Sequence, residues 1–399
     1  MRALCAVLGN PERAFRSLHV VGTNGKTSVT LITAALLGAA GVRAGACVSP
    51  HTFRWRERTR VAGTELGETA FAAATGEVAA AIDRLRGGVP AGEPGSAADP
   101  PSQFEAAIAI SFVAFRAAGV EVAVIEAGLG GRLDATNVIA SEATALTSVA
   151  LDHTEWLGST TAEIATEKLA VLEPGTVLVV GRLEPEIEAA ARQWAEQLGS
   201  RFVVAPEAAA DHVPDRYGPY LRRNAGVARE LVAVVAEQPA AAVSRAALEH
   251  LALGGRLEMI PGDPPLLVDV AHNEEGAIAL AEALEPLARP RLLCVSVLAD
   301  KDAAAIAAAL APQIDVAVCT AADPGPAMGR PGARALEPSL LAGHFTAAGL
   351  ESEVVPEPAA ALQRALTIAG LRGGVAICAG SNYLLRYVWT AKRGQSSSR

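Results

Sequence analysis

Lysine is nearly missing from this chain. It stands at Lys26, Lys168, Lys301 and Lys392, and arginine carries the rest of the positive charge. Positive charge is in deficit overall: the formal net charge is -9, which argues against a nucleic-acid partner, since such a partner prefers a basic face. Cysteine is sparse and scattered. Cys5, Cys47, Cys294, Cys319 and Cys378 form no C-x-x-C pair and no zinc spacing, and their number is odd. That excludes a disulfide framework and points to reduced, buried thiols. No apolar run is continuous enough for a membrane span. The opening "MRALCAVLGNPERAF" has no long apolar core or cleavage site, so no signal peptide is expected. The expectation is a cytoplasmic protein with neither a nucleic-acid nor a membrane partner.

What the chain has is apolar content and alternation. Hydrophobic residues make up 51% and charged residues 19%, the balance of a well-cored globular protein. At 399 residues two domains are the natural expectation. "SLHVVG" reads as a buried strand and "TSVTLITAALLGAAG" as a helix ending at Gly41. "RAGACVS" is a short strand, "FEAAIAISFVAFRAAG" a helix, and "VEVAVIEAGLGG" a strand entering a glycine-rich turn. "EATALTSVA" and "GTVLVVG" are strands on either side of the helix "TTAEIATEKLAVL". Residues 84–103, dense in Gly, Pro and Ser, read as loop. The run "RWRERTR", Arg54 to Arg60, is a cationic patch able to attract anions, or simply a solvated loop.

The alternation restarts after Gly254 with "PPLLVDVA", "NEEGAIALAEALEPLA", "PRLLCVSVL", "AAAIAAALAPQ", "DVAVCTAA", "PAAALQRALTIA" and "GVAICAGS". Helices alternating with β-branched apolar strands predict parallel sheets covered on both faces. The expected fold is therefore α/β: a P-loop parallel sheet with helices on both faces in residues 1–253, and a smaller Rossmann-like α/β domain in 254–399. The tail "KRGQSSSR" is expected to be unstructured.

A strand, then G-T-N-G-K-T-S at 22–28, then a helix is the context of a phosphate-binding loop. Consecutive N–H groups and the helix N-terminus can hold anionic oxygens. Lys26 would neutralise phosphate charge, and Thr27 or Ser28 could ligate magnesium. The loop is shorter than G-x-x-x-x-G-K-[ST], because Val20 stands where the first glycine would be.

"GTNGKTS" resembles the nucleotide loop of the Mur ligase superfamily. Further segments narrow the resemblance to the folylpolyglutamate synthase/dihydrofolate synthase family: "SPHTFRWRERTRVAGTEL" (49–66), "EAGLGGRLDATN" (126–137), "TSVALDHTEWLGSTTAEIATEKLAVLEPG" (147–175), "GPYLRRNA" (218–225), "GRLE" (255–258), "VDVAHNEEGA" (268–277) and "LADKD" (298–302). They occur in family order and span nearly the whole chain. Four features depart from the family pattern. Thr27 replaces a glycine, "YL" replaces H-Q before Asn224, Glu274 replaces a proline, and only a short lead precedes "LHVVG". The departures bear on the acyl acceptor.

The resemblance implies an ATP-dependent amide ligase that adds L-glutamate to a pterin-linked carboxylate, dihydropteroate or folate, through an acyl phosphate. Catalysis would be mainly positioning and charge neutralisation. It implies that ATP is held by Gly22, Thr23, Asn24, Gly25, Lys26, Thr27, Ser28, Asn224, Arg256, Asp269, His272 and Asn273. Two magnesium ions would be held by Ser28, Ser49, Glu126 and His153. Lys26, His153 and Lys168 would be catalytic, with Lys168 carbamylated by CO₂. The acceptor would lie near Ser102, Gln103, Phe104, Glu105, Leu133, Asp134 and Ala135, and the protein would be a monomer.

Read from the residues alone, several of these have plainer alternatives. Glu126 at the end of "VAVIE" fits a ligand site at a strand C-terminus, but a salt bridge would also explain it. His153 and Asn273 could cap helices. Ser49 before Pro50 could be a turn residue, and Lys168 a lysine reaching for solvent. Phe104 could stack on a flat ring or sit in the core. Three other functions stay open: an amide ligase for a non-folate acid, a P-loop NTPase or kinase forming no amide, and a degenerate nucleotide-binding module.

Overall fold

The computed structural model describes residues 1–87, 100–324 and 332–396. The chain divides into two compact units, Met1–Asp215 with Leu221–Leu251, and Arg216–Tyr220 with Ala252–Arg399.

Among its described residues, the first unit carries an eight-stranded sheet. Its strands are β1 (Arg16–Val21), β2 (Ala44–Cys47), β3 (Thr59–Val61), β4 (Thr64–Glu65), β5 (Val122–Glu126), β6 (Ser141–Leu146), β7 (Val177–Val180) and β8 (Arg201–Val204), in the order β4-β3-β2-β5-β1-β6-β7-β8. The six strands from β2 to β8 in that order pair in parallel, and β3 and β4 add an antiparallel edge. The "RWRERTR" run is therefore not a plain solvated loop. It forms a short helical turn, Trp55–Arg58, and enters the edge strand β3.

Strands buried on both faces need near-continuous apolar sequence, and β5 is fully buried from Val122 to Glu126. Phe15, Phe112, Phe115 and Ile125 fill one side of the sheet, and Val21, Leu146, Leu169, Leu178 and Val180 fill another cluster. Each such side chain contributes roughly 1.5–3 kcal/mol by leaving water. Gly45 is required here: a Cβ would lie 2.9 Å from the Phe115 ring. β1 lies between β5 and β6, and the chain passes from one side of β1 to the other between them. That makes the C-terminal end of β1 the switch point where α/β sheets open a ligand crevice.

In the second unit the described strands are β9 (Glu258–Ile260), β10 (Leu266–Val268), β11 (Arg291–Val295), β12 (Val316–Cys319), β13 (Glu351–Val354) and β14 (Val375–Ala379), ordered β13-β12-β11-β14-β10-β9. All pair in parallel except β9. Val268, Leu292, Val318, Leu362 and Leu384 fill its core. Residues 216–220 belong to this unit although they precede Leu221 in sequence. Gly218 lies so close to Leu257 and Ala283 that a Cβ would meet Leu257 Cδ1 at 2.8 Å.

Several helices escaped the pattern reading: Glu68–Gly87, Pro185–Gln197, Pro219–Val235, Ala241–Glu249 and Pro338–Ala347. Pro185–Gln197 fully buries only Ile187, Ala191 and Ala195, with Trp194 half-buried beside them, a narrow stripe among charged residues. The helix Glu68–Gly87 also covers the start of the expected 84–103 loop, whose residues 88–99 lie outside the described ones. The expected unstructured tail is helical through Ser396, in a helix seeded by buried Leu385 and Val388; residues 397–399 lie outside the described ones. The five cysteines are free and buried. Among the described residues no helix is long and apolar enough to cross a membrane.

Candidate active site

β1 ends at Val21 and the helix Lys26–Ala39 begins after four intervening residues, so Gly22–Gly25 must turn within very little space. Both glycines are forced. Gly22 has φ +149°, and a Cβ there would stand 1.9 Å from Thr147 Oγ1. Gly25 has φ +84°, and a Cβ would stand 2.7 Å from Asn224 Oδ1. Asn224 thus lies directly over the loop. The segment after β6 clamps the turn from the other side. Thr23 N donates to Ser148 O at 2.9 Å, Asn24 N to Ser148 Oγ at 3.0 Å, and Thr147 Oγ1 to Asn24 O at 2.6 Å. Thr147 and Ser148 were not singled out from the sequence, although they open the quoted segment "TSVALDH".

Two of the chain's few lysines converge on this loop. Lys26 Nζ donates to Gly22 O and Thr23 O, both at 2.9 Å. Lys168 Nζ donates to the same Gly22 O at 2.9 Å. Lys168 is not the snorkelling surface residue of the plain alternative: it is 3% exposed. Burial, helped by the neighbouring Lys26 charge, lowers its pKa to about 7, against the pull of Asp152, Asp134 and Glu167. An anionic group brought to the loop would relieve the repulsion between these two amines.

Glu126 ends β5 and is 2% exposed. Oε1 accepts from Thr27 Oγ1 at 2.9 Å and Oε2 from Ser49 N at 3.1 Å. The structure therefore brings Glu126, Thr27 and Ser49 together beside the phosphate loop. Ser28 is buried in the first turn of the helix. His153 precedes the short helix Thr154–Leu157 in the left-handed conformation, φ 51°, with no side-chain cap bond, so the capping alternative does not account for it. Its backbone N donates to Asp152 Oδ1 at 2.8 Å, and its Nε2 lies 3.7 Å from that oxygen.

Ser49 is held by a loop the sequence did not reveal. Glu57 accepts from three successive backbone N–H groups, those of Thr52, Phe53 and Arg54. Arg58 Nε donates to His51 Nδ1 at 2.9 Å, and its guanidinium lies over Trp55 at 4.9 Å. Only the spacing of charged residues in "RWRERTR" hinted at such a network.

The residues expected near the acceptor fall on two segments, the helix start at 102–105 and the turn at 133–135. Ser102 and Glu105 make a reciprocal capping box at the start of the helix Gln103–Ala117, which uses their polar groups locally. Gln103 is exposed at that helix start. The Phe104 ring lies against Gly128, where a Cβ would be 2.4 Å from Cζ, and packs at the edge of the core cluster. Asp134 turns inward, accepting from Leu129 N at 2.8 Å and Thr136 N at 2.9 Å. Ala135 is core, whereas Leu133 is 88% exposed.

In the second unit, Asp269 follows β10 and is buried. Its carboxylate accepts from Tyr220 Oη at 2.6 Å, Leu257 N at 3.0 Å and Ala271 N at 2.9 Å. Burial pushes its pKa up against those three donors, and burial together with the Asp269 charge pushes the Tyr220 phenol well up. Arg256 donates to Gly254 O at 2.7 Å. His272 Nδ1 bonds Val270 O at 2.8 Å, so that nitrogen carries the hydrogen. Asn273 caps the helix Glu274–Leu284 through Gly276 N at 2.9 Å.

The family description "Mur ligase, glutamate ligase domain" matches residues 255–382. The chain is 34% identical over 357 residues to the dihydrofolate synthase/folylpolyglutamate synthase of Mycobacterium tuberculosis, covering 80% of this chain and 72% of that protein. It belongs to the dihydrofolate synthase/folylpolyglutamate synthase family. Solved relatives agree across nearly the whole chain. The structure of E. coli FolC in complex with DHPP and ADP superposes with TM-score 0.84 at 27% identity, covering 99% of this chain and 92% of that one. The bifunctional enzyme of Yersinia pestis with Mn, AMPPNP and L-glutamate bound gives 0.80 at 27% identity, covering 98% and 94%.

Proposed function

We propose that this chain is an ATP-dependent ligase that joins the amine of L-glutamate to the carboxylate of a pterin-linked acid through an acyl phosphate. The observation that carries this reading is the clamped loop Gly22–Gly25, with two lysines on one carbonyl and a buried carboxylate beside it. A carboxylate does not condense with an amine at neutral pH, because its oxygen is a poor leaving group. Phosphorylation converts that oxygen into phosphate, which leaves readily. Transfer of the γ-phosphoryl group needs cations where charge gathers, and Lys26 supplies one. Asn224 and the N–H groups of the loop would orient the nucleotide.

A divalent metal fits the residues present. Glu126, Thr27, Ser28 and Ser49 offer one carboxylate and hydroxyls, a hard-oxygen set of the kind magnesium takes with phosphates and water, and His153 would serve a second ion. Such an ion would supply charge neutralisation at the phosphates. Lys168 is suited to carbamylation. With a pKa of about 7, roughly half of it is free amine at neutrality, and the free amine adds CO₂ with loss of a proton to give an anionic carbamate. Asp269 and Arg256 remain candidates for nucleotide contact, although Asp269 already receives three protein donors.

The test is a panel of acid acceptors with ATP and L-glutamate, read by product mass and ADP release. The expected result is ADP release that depends on both the pterin-linked acid and glutamate, with an amide product. An amide formed only with a non-pterin acid would replace the substrate class. ADP release without any amide would make the protein a kinase or NTPase.

A further inference from the structure

His19 lies within β1, three residues before the phosphate loop, at a position where the neighbouring Leu18, Val20 and Val21 are all apolar and buried. It is 1% exposed, and its Nε2 is 2.8 Å from Thr136 Oγ1. The Thr136 hydroxyl lies 2.5 Å from Asp134 Oδ1. That carboxylate oxygen also receives Thr136 N, and Oδ2 receives Leu129 N. Thr136 Oγ1 donates its single hydroxyl hydrogen to Asp134 Oδ1. Thr136 Oγ1 must then accept from His19, which fixes the ring as the Nε2–H tautomer. Burial lowers the His19 pKa to about 4, so the ring is neutral near pH 7.

The bonds run in one direction, from the strand that delivers the phosphate loop into the turn 127–137. Other contacts pin the same turn. Asn137 Nδ2 donates to Arg132 O at 2.9 Å, Arg132 pairs with Glu167 at 2.8 Å, and Gly131 lies against Glu167 O and Lys168 O. Within this pinned turn Leu133 is displayed to solvent, and Gly128 carries the Phe104 ring. A buried polar side chain costs stability unless it is bonded, and an aliphatic residue would serve β1 as well. The histidine therefore matters for what its Nε2–H holds.

We propose that His19 is a positioning residue for the acid acceptor: through Thr136 and Asp134 it fixes the turn 127–137, and so sets Leu133 and the Phe104–Gly128 contact against which the acceptor's flat ring rests. The inference rests on the ligase reading above. His19 touches neither nucleotide nor acceptor, and it links the strand of one to the turn of the other.

The experiment compares His19→Leu, His19→Gln and Thr136→Val with Ile187→Ala, a core change in the remote helix Pro185–Gln197. Two readouts are taken: acceptor and ATP KM, and amide hydrogen exchange of the peptide spanning 127–137. His19→Leu and Thr136→Val should raise the acceptor KM about tenfold, leave the ATP KM within about twofold, and speed exchange in that peptide. His19→Gln, which keeps a donor near the Nε2 position, should restore much of both. Ile187→Ala should lower Tm and leave both readouts alone. Unchanged exchange in His19→Leu, or an equal rise in both KM values, overturns the proposal. If His19→Leu does not fold, Thr136→Val carries the same decision. If the wild type makes no amide, the ligase reading fails, and the exchange arm still decides whether His19 holds the turn.

Discussion

Glu126 and Asp269 invite comparison. Each is a carboxylate at the C-terminal end of a parallel strand and each is almost fully buried; the resemblance implies a metal-ligand role for Glu126 and a nucleotide contact for Asp269. Their surroundings differ. Asp269 receives a phenol and two backbone amides that tie residues 220, 257 and 271 together, so it braces its own unit. Glu126 receives Thr27 Oγ1, a hydroxyl that can rotate, and the amide of Ser49, and both partners are themselves candidate ligands. Strand-end position is the same for both, so it does not tell which of them serves a ligand. The donors around each carboxylate are where the two differ.

The largest effect should come from the phosphate loop. Lys26→Ala should lower kcat by about 10³ while leaving Tm near the wild-type value, because it removes a cation from the phosphates. Activity within about tenfold of wild type, roughly 1.4 kcal/mol, would falsify the loop assignment. Glu126→Gln should cost about a hundredfold in kcat/KM, with added magnesium recovering part of it, again without loss of fold.

Asp269→Asn should behave in the opposite way. It leaves a buried amide among three donors, and should cost about 1–3 kcal/mol of stability, with Tyr220→Phe costing less. Thermal unfolding and kinetics on the same samples sharpen the contrast. A large fall in kcat with unchanged Tm would move Asp269 into the nucleotide site and erase the distinction from Glu126.

Lys168 gives a pH signature. Its folded pKa is lowered from 10.5 to about 7, so between those values the unfolded state binds the proton more than the folded state does. Stability from this group is therefore lowest below pH 7 and rises with pH from 7 toward 10.5. Lys168→Met should remove that slope in denaturant titrations. Carbamylation follows the free amine, so the mass increment on this residue should grow with bicarbonate and fall as pH drops below 7. Lys168→Ala should lose most activity and regain some with short-chain carboxylates, whereas Lys168→Arg should not. No increment, and no rescue, would leave Lys168 as a buried amine on Gly22 O.

Much of this was legible in the sequence for physical reasons. Buried parallel strands must be apolar throughout, so β1, β5, β11 and β14 announce themselves, and a glycine loop between strand and helix has few other uses. Glu126 was legible because it ends such a strand. The helix Pro185–Gln197 was not, because its buried stripe is narrow, with one isoleucine and two alanines among charged residues. Thr147 and Ser148 were not, because they act on backbone groups of the phosphate loop more than 120 residues away, brought close only by folding. Asp134 is expected at the substrate, and its carboxylate also accepts from Leu129 N and Thr136 within its own turn, which the sequence does not show. A residue type at a motif position does not say which way it points.

The smallest expected effect concerns Phe104, where the two readings of the residue meet. Its ring lies on Gly128, where a Cβ would stand 2.4 Å from Cζ and push the ring aside. The ring is half-buried at the edge of the core cluster around Phe112 and Phe115. One face is thus committed to packing, and the exposed remainder can meet a flat ligand. Stacking of that kind contributes about 0.5–1.5 kcal/mol, so Phe104→Ala should raise the acceptor KM by roughly two- to tenfold with little change in the ATP KM. Phe104→Leu separates the contributions, because it keeps most of the volume over Gly128 and removes the aromatic face. If stacking matters, Leu should resemble Ala in acceptor KM and the wild type in Tm. If Leu matches the wild type in both, Phe104 belongs to the core alone, and the acceptor is read by the exposed Leu133 side of the turn.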